Sequence, residues 1–174
     1  MQEKPKRKPI IKNSNLYKAK KARNNEYYTL LDDVNREMSC YVEQLKGKYI
    51  FCNCNDSFQS AFWIYFHTQY SQLGIKGVIA TTYNPGSRGE CHIYQGGNDS
   101  DVTECMTYTL QGDGDFRSKE CIDIAGKADI LITNPPFSLL QEYLCLMNEE
   151  NFRFIVIGNK NEVTYKKNIS NDCR

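Results

Sequence analysis

The sequence has no long apolar run and no large net charge. No segment approaches the length of a membrane span, and the start of the chain is too polar for a signal peptide. The formal net charge of the 174 residues is +1, with 40% hydrophobic and 12% aromatic residues. This composition supports one core of ordinary size, so we expect one folded domain in a cytoplasmic protein with no membrane association.

Paired metal ligands are also missing. Eight cysteines are present, but none forms a Cys-x-x-Cys pair, and neither His67 nor His92 has a partner at zinc-ligand spacing. Apart from Cys52 and Cys54, the cysteines are scattered singly along the chain. We therefore expect free thiols in a reducing compartment and no metal site.

The positive charge that is present is concentrated at one end. Residues 1–23 carry nine Lys and Arg residues against a single acid, Glu3. Such an arm suits contact with phosphate backbones, and a solvated tail is the competing interpretation. We expect three regions: a basic arm at residues 1–23, a folded domain at residues 24–166 and a polar tail at residues 167–174.

Apolar runs alternate with helical patterns over most of the chain. The runs that predict strands are residues 48–52, 77–82, 106–110, 130–133 and 152–157. Helices are expected at residues 32–45, 58–73 and 118–125, and from an N-cap at Ser138 to about residue 147. This alternation predicts an α/β fold with a doubly wound, mostly parallel sheet. Residues 84–104 are rich in Gly, Ser, Asn and Asp, which indicates a loop or small hairpin between strands.

The expected strand at residues 130–133 ends abruptly. Asn134 is followed by Pro135 and Pro136, which neither donate to a strand ladder nor continue a helix, and then by Phe137. In open α/β sheets, ligands bind at the carboxyl ends of the strands. An amide, two rigid prolines and an aromatic ring at such a place resemble the Asn-Pro-Pro-Phe signature of adenine-specific methyltransferases, with an ordinary strand-terminating turn as the alternative.

Five segments, spread over nearly all of residues 24–166, together resemble the EcoRI-type adenine-specific DNA methyltransferases. They are Glu26-Tyr27-Tyr28-Thr29, Tyr49-Ile50-Phe51-Cys52-Asn53-Cys54-Asn55-Asp56, Gly112-Asp113-Gly114-Asp115-Phe116-Arg117-Ser118, Asn134-Pro135-Pro136-Phe137-Ser138 and Ile157-Gly158-Asn159-Lys160-Asn161. The turn that begins at Cys52 is the most specific of these segments, because that family has it in place of the usual glycine-rich cofactor loop.

The resemblance implies the sheet of S-adenosylmethionine-dependent methyltransferases and methyl transfer to the exocyclic amino group of adenine in double-stranded DNA. The catalytic residues that it implies are Asn134, Pro135, Pro136 and Phe137. The cofactor-binding residues that it implies are Tyr27, Tyr28, Thr29, Asn53, Cys54, Asn55, Asp56, Asp115 and Phe116. No metal is needed, because a sulfonium is already an activated leaving group. Plainer roles stay open: Asp115 as a helix cap, and Tyr27 and Tyr28 as ordinary aromatic residues.

Two features depart from the family pattern. The second strand ends in Thr81-Thr82-Tyr83, without the acid that commonly binds a cofactor ribose, and this leaves Asp56 as a candidate only. The chain also ends in polar residues where family members continue with further strands and a DNA-reading region. We therefore expect a sheet that lacks its last strands. Either a second polypeptide supplies them, or the chain is an inactive remnant that only binds cofactor or nucleic acid.

Overall fold

The computed structural model describes residues 30–53 and 57–157, without the side chains of Ser57 and Phe137. Its helices are α1 (Leu31–Met38), α2 (Val42–Leu45), α3 (Ala61–Thr68), α4 (Tyr70–Leu73), α5 (Lys119–Ala125) and α6 (Leu140–Glu149). Its strands are β1 (Tyr49–Cys52), β2 (Gly77–Thr81), β3 (Glu90–Tyr94), β4 (Met106–Thr109), β5 (Ile130–Thr133) and β6 (Phe154–Val156). Short 3-10 helices lie at Ser57–Gln59 and Phe137–Leu139. The predicted basic arm and polar tail lie outside the described residues.

The six strands form one sheet in the order β4-β3-β2-β1-β5-β6. β1 is parallel to β2 and β5, and β5 is parallel to β6, whereas β3 is antiparallel to both of its neighbours. Five of the described strands therefore run in one direction, and their carboxyl ends lie at the same edge of the sheet. The prediction of a mixed α/β fold with a mostly parallel sheet is confirmed.

Successive strand residues point to opposite sides of the sheet, so both faces carry side chains to be buried. Helices cover both faces. On β1, Ile50 and Cys52 belong to the core layer that includes Trp63 of α3, whereas Phe51 belongs to the layer that includes Tyr143 of α6. All five side chains are buried. The described part of the chain is thus a three-layer structure with the sheet in the middle. None of the described helices is long and apolar enough to cross a membrane.

The prediction for residues 84–104 underestimated their structure. Glu90–Tyr94 is not part of a separate hairpin but a full strand of the main sheet, hydrogen-bonded to β2 on one side and to β4 on the other. Cys91, His92 and Tyr94 are almost completely buried. The glycine-rich and polar flanks gave the segment a loop-like composition, but pairing on both edges satisfies the backbone polar groups that a loop would leave to water.

Three helix predictions were wrong in detail. The expected helix at residues 32–45 is divided into α1 and α2, and the one at residues 58–73 begins as a 3-10 helix and is divided at Gln69. Ser138 is not an N-cap, because the chain leaves Pro136 in a 3-10 turn, with Leu139 N donating to Pro136 O at 2.9 Å. α6 therefore starts at Leu140, without a side-chain cap.

The expectation of free thiols holds for most of the described cysteines. Cys40, Cys52, Cys91, Cys105 and Cys121 are free. Cys145 is disulfide-bonded, so the expectation was wrong for this residue. Sequence spacing alone does not report which thiols approach each other in the fold.

Candidate active site

The two segments that the sequence singled out lie next to each other at the carboxyl edge of the sheet. β1 and β5 are adjacent and parallel, with Phe51 opposite Leu131. Asn53 directly follows β1, and Asn134 directly follows β5. Thr133 Oγ1 donates a hydrogen bond to Asn53 O at 2.7 Å, which joins the two strand ends. The fold therefore brings a predicted cofactor residue and a predicted catalytic residue to neighbouring positions.

Asn53 is oriented towards the protein interior. Its exposed fraction is 2%, and its Oδ1 accepts a hydrogen bond from Tyr143 Oη of α6 at 3.1 Å. Sequence reasoning did not identify Tyr143. The apolar side of α6, which carries Tyr143 and Met147 one turn apart, marks the ring as a core residue, but no sequence signal indicates the partner of its hydroxyl group.

The loop after β4 crosses the carboxyl end of β2. Asn84 N donates to Asp113 O at 2.8 Å, and Gly89 N donates to Gly112 O at 2.9 Å. Gly114 has φ +86°, and a Cβ atom there would lie 1.9 Å from Thr82 O. Only glycine fits this approach, because both the backbone conformation and the available space exclude a side chain. The glycine at position 114 is thereby explained, and the loop brings Asp115 to the same edge as Asn53.

An ion-pair network fixes the Asp115 carboxylate. The Asp115 carboxylate accepts hydrogen bonds from Arg117 N at 2.9 Å and Arg117 Nε at 2.8 Å. Nη1 of the same guanidinium donates to Glu142 Oε1 of α6 at 3.1 Å. The hydrogen bond from the Arg117 side chain lowers the pKa of Asp115 below its usual value, so this carboxylate is ionised at neutral pH. Asp115 is not the cap of α5, since Ser118 Oγ accepts the hydrogen bond from Cys121 N.

Phe116 has a largely enclosed ring. It is 4% exposed, its centroid lies 5.2 Å from that of Tyr143, and the Arg117 guanidinium lies over it at 5.3 Å. The ring therefore supports the loop from the core side. Its predicted contact with the adenine of a cofactor stays a prediction.

The Asn-Pro-Pro segment leads directly from β5 into α6. Pro135 is buried, whereas Asn134 and Pro136 are half-buried. Ile157 N donates to Thr133 O at 3.0 Å, so backbone pairing with β6 extends to the residue before Asn134. The prolines then end the ladder, and Phe137 begins the 3-10 turn that precedes α6.

Thr81 presents a polar group that the described residues do not satisfy. It is fully buried at the carboxyl end of β2, and among the described residues its Oγ1 has no hydrogen-bond partner. The neighbouring Thr82 Oγ1 accepts from Glu90 N at 2.9 Å. Sequence reasoning noted only the missing acid at this position. A buried hydroxyl without a partner is the signal that the structure adds.

The remaining predicted cofactor residues lie outside the described part of the chain. They are Tyr27, Tyr28, Thr29, Cys54, Asn55 and Asp56. Within residues 30–53 and 57–157, there is no group of three or more His, Cys, Asp or Glu residues that is suited to a metal ion.

A mostly parallel sheet, helices on both faces and polar loops at the carboxyl edge define a class of α/β proteins that bind nucleotide-like ligands at that edge. The family profile "Adenine-specific methyltransferase EcoRI" matches residues 15–170. The chain therefore belongs to the EcoRI-type adenine-specific methyltransferase family.

Three curated proteins illustrate the relationship. The chain is 42% identical over 151 residues to the type II methyltransferase M.MpnI of Mycoplasma pneumoniae, covering 86% of this chain and 45% of that protein. It is 40% identical over 148 residues to M.MgeORF184P of Mycoplasma genitalium, covering 85% and 45%. Identity to M.EcoRI of Escherichia coli is 37% over 168 residues, covering 89% and 51%. The chain thus spans about half the length of these relatives. No solved structure matches the chain.

Proposed function

We propose that this protein transfers a methyl group from S-adenosylmethionine to the exocyclic amino group of adenine in double-stranded DNA. The observation that carries the proposal is the adjacency of Asn53 and Asn134, the residues that follow two neighbouring parallel strands. One strand end belongs to the cofactor half of the proposed site and the other to the target half. Membership of the family and the type II methyltransferase relatives support the same reaction.

The chemistry of the described residues fits the cofactor. Asp115 supplies an ionised carboxylate, and a carboxylate has about four acceptor positions, so its bonds to Arg117 leave capacity for an amino or hydroxyl group. Thr81 supplies a buried hydroxyl that still lacks a partner among the described residues. We assign Asp115 to the adenine of the cofactor and Thr81 as a further polar contact at the end of β2. The assignments of Asn53 and Phe116 remain as the family resemblance implies them.

The target half of the site needs acceptors in fixed positions. An aryl amine is a poor nucleophile because its lone pair is delocalised into the ring. We propose that the Asn134 side-chain oxygen and the Pro135 carbonyl accept the two amine hydrogens, and that the prolines hold both acceptors in place. The bound cofactor supplies a methyl group already activated on a sulfonium.

The target base has to leave the duplex to reach this edge of the sheet. Base flipping costs a few kcal/mol, and stacking on the Phe137 ring recovers part of that cost.

The basic residues of the arm at 1–23 are suited to the DNA backbone. We assign residues 24–166 to the methyltransferase domain, with the arm and the tail at residues 167–174 on either side.

The proposal includes polypeptide in addition to the residues that the structure describes. Among the described residues, β6 pairs only with β5, and the relatives are about twice as long as the matched region. We propose that additional strands and a DNA-reading region, from the rest of a longer chain or from a second polypeptide, complete the enzyme. The alternative of an inactive remnant has no observation in its favour.

Nucleoside analysis tests the reaction. Unmethylated duplex DNA is incubated with the purified protein and isotopically labelled S-adenosylmethionine, and the DNA is then digested to nucleosides. The expected product is labelled N6-methyldeoxyadenosine. Label in a cytosine product would assign the protein to another reaction. A folded protein that labels no DNA, even together with a polypeptide that supplies the proposed additional strands, would contradict the proposal.

A further inference from the structure

Two buried hydrogen bonds converge on Asn53. Thr133 Oγ1 donates to its backbone carbonyl at 2.7 Å, and Tyr143 Oη donates to its side-chain Oδ1 at 3.1 Å. Thr133 and Tyr143 are fully buried, and Asn53 is 2% exposed. Water therefore has little access to replace either donor, and loss of one leaves a buried acceptor without its partner.

The three residues belong to three different elements. Asn53 follows β1, Thr133 is the last residue of β5, and Tyr143 lies in the first turn of α6. Thr133 directly precedes Asn134, and α6 directly follows the 3-10 turn that begins at Phe137. The hydrogen bonds thus connect the end of β1 to the chain on both sides of the Asn-Pro-Pro segment.

These bonds give Asn53 a structural role in addition to the cofactor contact that the family resemblance implies. The oxygen atoms of its carbonyl and of its amide side chain both accept hydrogen bonds from within the protein. Since its side-chain oxygen is already bound to Tyr143, the amide is suited to anchoring the end of β1. The contacts of the cofactor then depend on where this anchor holds the backbone.

We propose that Thr133 and Tyr143 are positioning residues for methyl transfer, which act through Asn53 and fix the cofactor half of the site relative to Asn134. The inference rests on the proposed function. It has a physical reason, because reactions between two bound groups depend steeply on alignment, and a misplacement of about 1 Å costs on the order of 100-fold in rate. The hydrogen bonds that join the two strand ends through Asn53 limit such a misplacement.

The test removes one hydroxyl group at a time. Tyr143→Phe keeps the ring and deletes the hydrogen bond to Asn53. Tyr94→Phe is the matched control, because Tyr94 is also buried and donates to a side-chain oxygen, Asp99 Oδ1, at 2.6 Å. Tyr94 pairs with Val78 near the amino end of β2, at the edge of the sheet opposite the site. The comparison therefore separates loss of a buried hydroxyl from loss of this particular bond.

Hydrogen exchange of the protein without cofactor gives the first readout. Tyr143→Phe should increase amide exchange in the peptides that contain Asn53 and residues 131–134, whereas Tyr94→Phe should leave those peptides unchanged. Thr133→Val should reproduce the increase, and Thr133→Ser, which keeps the hydroxyl group, should restore the wild-type rate. Equal exchange in all four variants would overturn the inference, and so would an increase in Tyr94→Phe alone.

Affinity for S-adenosylmethionine gives the second readout. Tyr143→Phe and Thr133→Val should each raise the Kd about threefold to tenfold, as expected for one buried hydrogen bond, with Tyr94→Phe within about twofold of wild type. A wild-type protein that binds no cofactor would overturn the proposed function. Normal binding by wild type and both variants would overturn only this inference.

Discussion

Asn134 is the residue whose replacement separates binding from chemistry. It is half-buried immediately after β5, and its proposed contacts are to the target amine and not to the cofactor. Asn134→Ala should reduce the rate of methyl transfer by about 10²–10³, as is typical for one lost group at a preorganised site. The Kd for S-adenosylmethionine should hardly change. Single-turnover methylation and calorimetry measure the two quantities.

A matched control is available on α6. Asn148 is exposed, so Asn148→Ala should leave both the rate and the Kd unchanged. Full activity of Asn134→Ala would assign the catalytic role to another residue. An equal loss in both variants would indicate a general effect of the substitution.

The Asp115–Arg117 pair predicts a pH dependence of stability. The Arg117 side chain lowers the pKa of Asp115 in the folded protein. The stabilisation is therefore present above the carboxyl pKa of the unfolded chain, about 3.9, and is lost as pH falls through the lower folded value. Arg117→Gln should remove this part of the acid dependence. Urea midpoints measured between neutral pH and about pH 3 test the prediction.

The control for this pair is an ion pair on α5. Lys119 and Asp123 are both exposed, with Nζ 3.1 Å from Oδ1. Lys119→Gln should leave the acid dependence of the midpoint close to that of wild type, since exposed pairs contribute little. If Lys119→Gln changed the acid dependence of the midpoint as much as Arg117→Gln does, the Asp115–Arg117 pair would not be the cause of that dependence.

The loop between β4 and α5 shows how an element constrains the site. Gly114 combines φ +86° with a distance of only 1.9 Å from a built Cβ atom to Thr82 O. Gly114→Ala should therefore destabilise the protein by about 2 kcal/mol or more, because Thr82, directly after β2, is held by the hydrogen bond from its N to Glu90 O. Urea denaturation measures this change.

Gly112 provides the control within the same loop. A Cβ atom there meets nothing within 4 Å. Gly112→Ala should change stability by less than about 0.5 kcal/mol. If both substitutions destabilised the protein equally, the close approach of the loop to β2 would not be the cause.

At the scale of elements, the sequence predicted a strand well where its own residues are apolar and poorly where pairing with neighbouring strands decides. Ile130–Thr133 has three apolar residues in a row before its threonine, and its strand was predicted correctly. Glu90–Tyr94 was missed because its strand character comes from neighbours on both sides of the sheet. The division of a helix at Gln69 likewise has no strong local signal, since neither Gly nor Pro occurs there.

The candidate site could likewise be predicted from the sequence only in part. The placement of Asn53 and Asn134 at one edge of the sheet follows from the expected parallel strands. The pairing of β1 with β5, which makes the two residues neighbours, comes from the structure. The hydrogen bond from Tyr143 to Asn53 joins residues 90 positions apart, and the Arg117–Glu142 bond joins residues 25 positions apart. Such pairings depend on the three-dimensional packing of α6 against the sheet, which a single sequence does not report.

For the whole molecule, the proposed function depends on the carboxyl edge being a cofactor site. Calorimetric titration of S-adenosylmethionine into the folded wild-type protein tests this claim most directly, with Asp115→Asn as the comparison. We expect saturable binding at one site and a weaker affinity for Asp115→Asn, because the amide loses the negative charge and one acceptor. No heat of binding at millimolar cofactor, with the protein shown to be folded by circular dichroism, would contradict it.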